Sequence, residues 1–157
     1  MTELKDKRIA RHLTQKEVAN RIGISLRSYV SYENDESKCS TAKYKYLLRE
    51  VDEMNRIDES HGILSKEDIT KICNDIFNDY NVKYCYLFGS YAKGSATELS
   101  DVDLLISTET TGLKYYELLE RLREGLCKNV DLLDLKQLLK NEELADEILK
   151  EGIRIYG

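Results

Sequence analysis

Two apolar runs, "VKYCYLF" at 82–88 and "DVDLLIS" at 101–107, constrain the fold more than any other part of this chain. Their β-branched and aromatic residues, bounded by turn formers, predict two strands. The first run stops at Gly89-Ser90, and the second opens with two acids one position apart. Residues i and i+2 of a strand share a face. Asp101 and Asp103 therefore aim their carboxylates the same way, at the mouth of a strand that otherwise reads as core. Two such carboxylates repel each other and lose hydration. The local sequence "ELSDVDLLIS" supplies no cation. Relief must come from a Lys or Arg elsewhere, from solvent, or from a hard divalent metal. Metals in pairs clamp an in-line displacement at a phosphorus atom.

A third acid, Asp131 in "NVDLLDL", lies in the next predicted strand, among residues that should be buried. Pairing with its neighbour could bring it beside the first two; a structural ion pair is the alternative. Asp134 is an odd number of positions away and should face the other side. Between the strands, "GSYAKG" predicts a turn or short helix in which Gly89 lets backbone approach a ligand. Its N–H groups, the Ser90 hydroxyl and Lys93 are candidates for a phosphate, although Gly-Ser alone would suit a simple turn.

The rest of the pattern gives an α/β or α+β module. "SKEDITKICNDIFNDY", "LKYYELLERLREGLCK" and roughly 136–150 read as helices, and "GIRIYG" as a short edge strand. Most of the tyrosines suit core or amphipathic surface, with "KYY" at 114–116 a possible partner surface. Ahead of this module, "LKDKRIARHL", "TQKEVANRIG", "LRSYVSYE" and residues 41–57 are four helical segments, with Thr14 and Glu17 forming a capping box. Helix, a turn at Gly23, then helix is a helix-turn-helix pattern, with Ala19 at the close approach and Val18, Ile22, Ile24 and Tyr29 as core. The hinge "NRIDESHG" sets domain boundaries at 1–60 and 61–157.

Charge separates the same two parts. Residues 1–33 hold seven Lys/Arg against four Asp/Glu, whereas 61–157 hold twelve against eighteen. The overall charge of −5 argues against a generic nucleic-acid coat. No apolar run approaches a membrane span and the first residues lack a signal peptide's apolar stretch, so the expected location is the cytoplasm. Four cysteines without C-x-x-C spacing and two histidines argue against a zinc site.

"TQKEVANRIGISLRSYVSYE" resembles the repressor-type (XRE/Cro) DNA-binding domains. That resemblance implies a second helix in the major groove, with Ser25, Arg27, Ser28 and Ser31 at bases or phosphates and Gln15 at the backbone. The family often has Gly after the terminal Glu, whereas here Glu33 leads into "NDES", whose acidity is expected to weaken DNA affinity. A helical module for dimerisation or partner docking is the alternative.

The combination G-S-x10-D-x-D with a later strand acid resembles the minimal nucleotidyltransferases of the DNA polymerase β superfamily. More narrowly it resembles the MNT antitoxins encoded beside HEPN ribonuclease toxins. The resemblance implies an α+β nucleotidyltransferase domain, a small mixed sheet flanked by helices, preceded here by the all-α helix-turn-helix domain. It implies transfer of AMP from Mg-ATP to a toxin tyrosine within an oligomeric toxin complex. Gly89, Ser90 and Lys93 would hold the triphosphate, and Asp101, Asp103 and Asp131 two Mg²⁺, Asp131 also helping to deprotonate the hydroxyl. An aminoglycoside-type transferase shares these acids but needs an acceptor-binding domain, for which residues 132–157 leave little room. A regulator without activity, or an antitoxin acting by contact alone, stays open, and operator binding could accompany catalysis.

Overall fold

The computed structural model describes residues 2–157. It comprises a first unit that ends at Arg56 and a second spanning Ile57–Gly157. The division falls four residues before the boundary expected from the sequence. Ile57 packs on the second unit's core, and Asp58 and His61 form a bridge that closes a tight turn. All of the expected hinge after Arg56 is thus already part of the second unit.

The first unit is helical: α1 (Glu3–Ala10), α2 (Gln15–Ile22), α3 (Leu26–Asn34), a 3-10 turn (Glu36–Lys38) and α4 (Ala42–Glu53). The capping box forms as expected: Thr14 Oγ1 accepts from the Glu17 N–H, and Glu17 accepts from the Thr14 N–H at 2.7 Å. Gly23 ends α2 at φ +82°, and Ser25 caps α3. Leu4, Leu13, Val18, Ala19, Tyr29, Tyr44, Leu47 and Val51 form the core, with Ile22 and Ile24 partly buried against it. Each fully buried aliphatic side chain here contributes about 1.5–3 kcal/mol.

Glu33, the residue before "NDES", has a fully buried side chain, and Arg8 grips it through Nε and Nη2 at 2.9 and 2.8 Å. Burial pushes the Glu33 carboxyl up, but the bonds that Arg8 and Gln15 donate outweigh this and hold it below the ordinary glutamate value.

The second unit contains α5 (Lys66–Phe77), β1 (Val82–Phe88), α6 (Gly89–Lys93), β2 (Val102–Thr108), α7 (Leu113–Leu126), β3 (Val130–Asp134), α8 (Leu135–Leu138), α9 (Glu142–Glu151) and β4 (Ile153–Tyr156). The strands form one mixed sheet in the order β3-β2-β1-β4. β1 pairs antiparallel with β2 and β4, and β2 pairs parallel with β3. The tail strand is at the edge, as its sequence suggested.

Strand alternation divides the core. Cys85, Leu87, Leu104 and Ile106 face α5 and α7, while Phe88 and Leu105 face α8 and α9. Gly125 is in α7 because α5 leaves no room for more: a Cβ there would meet Ile72 Cγ2 at 3.0 Å. The single final helix expected over 136–150 is two helices, because the Asn141 side chain caps a fresh start by accepting from the Leu144 N–H. All four cysteines are free; Cys73 and Cys85 are buried, whereas Cys127 is exposed. Of "KYY", Tyr115 donates inward to the Leu132 carbonyl and Tyr116 remains exposed. Among the described residues, no helix is long and apolar enough to cross a membrane.

Candidate active site

The candidate site lies where β1 ends and β2 and β3 begin, on the α8–α9 side of the sheet. Asp103 shares its face with Leu105, which packs toward α8 and α9. Parallel pairing sets Asp103 directly beside Asp131, about 4.8 Å away at the backbone. Across the other neighbour, Asp103 pairs with Phe88, one residue before Gly89. Two expected acids therefore meet through register alone.

Burial is the largest influence on Asp103. Together with the neighbouring Asp131 carboxylate, and then Asp101 and Glu147, it raises the Asp103 carboxyl to about 6. Among the described residues no Lys or Arg pairs with Asp101, Asp103 or Asp131. A clustered set of acids without a counter-charge fits a hard cation. Asp101 stands just before β2 and is exposed. Asp131 is exposed as well, against the expectation that it would be buried, because β3 is an edge of the sheet. Among the described residues no three His, Cys, Asp or Glu side chains form a ready-made metal cage. The Asp103–Asp131 pair is the part already in place.

Gly89 is fixed by two constraints. Its φ is +69°, and a Cβ would stand 2.1 Å from Asp103 Oδ2. Bare backbone thus abuts the acid, as a close approach to a ligand requires. Ser90 is half-buried, and its hydroxyl has no partner among the described residues. Lys93 is engaged elsewhere: its ammonium binds Glu147 at 2.7 Å and Glu151 at 3.6 Å, both on α9.

Glu147 was missed from the sequence. It lies in an amphipathic helix far along the chain, and only the tertiary fold brings its charge to bear on Asp103. Asp134 is not part of the cluster, as expected: its charge acts on Tyr115 of α7 instead.

In the first unit, Arg27 and Ser25 are exposed at the start of α3. Ser25 and Ser28 also form the cap of that helix. The Ser31 hydroxyl receives the Lys38 ammonium, and the Gln15 amide donates to Glu33 at 3.1 Å. Arg27 is thus the expected contact whose charge is neither buried nor, among the described residues, paired.

Gly-Ser ends one strand of a mixed sheet, acids face each other on the next two, and a helical unit precedes the sheet. The chain belongs to the "Polymerase beta, Nucleotidyltransferase" family, whose model matches residues 67–157, and a helix-turn-helix model matches residues 4–43. It is a nucleotidyltransferase. Protein adenylyltransferase MntA of Thermococcus cleftensis is 34% identical over 100 residues, 60% of this chain and 99% of that protein. Protein adenylyltransferase MntA of Shewanella oneidensis is 29% identical over 96 residues, 60% of this chain and 66% of that protein. A solved toxin–antitoxin structure with AMP-PNP aligns at a TM-score of 0.48 and 26% identity, over 56% of this chain and 73% of that chain.

Proposed function

We propose that this chain is a cytoplasmic antitoxin that transfers AMP from Mg-ATP to a tyrosine hydroxyl of a HEPN ribonuclease toxin, in complex with it. The observation that carries the reading is the Asp103–Asp131 pair beside the bare backbone of Gly89. Similarity to proteins named protein adenylyltransferases supports the reaction class. The toxin as acceptor rests on the sequence's resemblance to MNT antitoxins.

Asp101, Asp103 and Asp131 would hold two Mg²⁺, which neutralise the triphosphate and stabilise charge on the transferring phosphoryl group. The Gly89 and Ser90 backbone and the Ser90 hydroxyl grip the triphosphate. Asp131 accepts the hydroxyl proton as the oxygen attacks the α-phosphorus. The bond to the β-phosphate oxygen breaks, pyrophosphate leaves, and a phosphodiester joins tyrosine to AMP. Lys93 reaches the phosphates only by leaving Glu147 and Glu151.

The helix-turn-helix binds operator DNA, with α3 in the major groove and Arg27 as its principal contact; Ser25 and Ser28 lie beside it, and Ser31 and Gln15 at its margin.

Intact-mass spectrometry tests the transferase reading. The toxin is incubated with this protein, ATP and Mg²⁺, beside an Asp101→Asn/Asp103→Asn control. Gain of one or more AMP units, absent in the control, is the expected result. A stable complex without mass gain would instead identify an antitoxin acting by contact.

A further inference from the structure

Lys128 is the one fully buried lysine among the described residues, at 1% exposure. It forms no ion pair there. Its ammonium donates instead to two backbone carbonyls, those of Glu98 at 2.7 Å and His61 at 3.1 Å. Burying a charge is costly unless fixed dipoles replace its hydration. Neither expected function uses this group.

Its position in the chain gives it a role. Glu98 is three residues before Asp101, and Lys128 is three residues before Asp131. The Lys128–Glu98 bond therefore ties the segment that delivers the first acids to the one that delivers the third. Cys127, at φ +55°, ends α7 in a left-handed turn directly before Lys128. The Asn129 carbonyl then accepts the Val102 N–H at 2.9 Å, starting the β2–β3 ladder beside the acids. The Glu98 carboxylate accepts the Gly62 N–H at 3.2 Å, closing the knot on the 61–62 segment.

We propose that Lys128 is a positioning residue that sets the spacing of Asp101 and Asp103 against Asp131 by clamping the loop before β2 to the residues before β3. The proposal rests on the metal-binding reading of those acids. An ammonium suits the task because its donors diverge from one point and reach carbonyls on two segments. A methionine fills similar volume and donates nothing.

The test is Mn²⁺ binding to the full chain, followed by the free-ion EPR signal, with thermal melts alongside. Lys128→Met is expected to weaken Mn²⁺ binding about tenfold, the usual scale for groups that orient ligands. Leu122→Ala, a core truncation remote from the acids in sequence, is expected to lower the melting temperature and leave Mn²⁺ affinity unchanged. Equal Mn²⁺ affinity in wild type and Lys128→Met would overturn the proposal. If Lys128→Met does not fold, Lys128→Gln replaces it: its shorter side chain cannot span both carbonyls, so unchanged affinity there overturns the proposal too. Asp101→Asn/Asp103→Asn separates the two readings. If it leaves Mn²⁺ binding intact, the metal reading fails and this inference fails with it. If it abolishes binding while Lys128→Met does not, only the positioning role fails.

Discussion

The α-carbon of Gly89 faces the Asp103 carboxylate so closely that a single added methyl would stand 2.1 Å from Oδ2. Real Cβ contacts are far longer, so either the turn or the acid would have to move. Gly89→Ala also meets the penalty of a positive φ, roughly 1–2 kcal/mol. We expect it to fold with reduced stability and to lose AMP transfer by about 100-fold, the scale of a 1 Å misplacement at a reacting centre. Intact-mass kinetics would check this; near wild-type transfer would show that the contact is slack.

Asp103→Asn separates function from stability in the opposite sense. The folded carboxyl titrates near 6, above its unfolded value, so the ionised form costs stability at neutral pH. Partial exposure discounts that cost to about 1 kcal/mol. Without divalent cations, the variant should melt about 2–4 °C higher than wild type. With Mg²⁺ the wild type should gain stability and the variant should not. Differential scanning fluorimetry with EDTA and with Mg²⁺ reads both effects.

The Arg8–Glu33 pair makes the helical unit acid-sensitive. Glu33 has its folded pKa lowered from 4.5, so its stabilisation is present above the unfolded value and is lost as pH falls through the folded one. Urea melts from about pH 6 to about pH 3 should show declining stability in wild type, and less decline in Glu33→Gln. At neutral pH, Glu33→Gln should cost about 2–3 kcal/mol by leaving Arg8 without its partner. It should not tighten DNA binding, because the acid never faces solvent.

Arg27→Ala and Ser31→Ala should behave differently on DNA. Removing the exposed Arg27 should weaken operator binding and reduce the salt-dependence slope by about one. Ser31→Ala should change affinity little, since Lys38 already occupies that hydroxyl. Fluorescence anisotropy across a salt series would distinguish the two; equal losses would refute the assignment of Arg27 as the principal contact.

Local chemistry explains what could be read in the sequence. The Thr14–Glu17 box, the Gly23 turn, the strands and the D-x-D spacing are all decided within a few residues, where side-chain period and capping act. Asn141 was legible by the same rule, since "NEEL" sets a cap before two first-turn acids, but apolar periodicity across 136–150 masked it. Glu147, Lys128 and the Arg8–Glu33 pair have no such signature. Each is a single polar group whose partner is distant in sequence, and only tertiary packing selects it. Asp131 shows the limit of pattern: "VDLLD" reads as buried in any strand, yet an edge position leaves its acid open.

The turn at Asp58–His61 has a consequence for modular recombination. The His61 carbonyl is one of the two oxygens that hold Lys128, and Ile57 fills part of the transferase core. A graft that exchanges the helix-turn-helix for another input module must therefore make its seam before Ile57. A seam at residue 61 would carry the clustered acids across intact but leave behind a piece of their foundation.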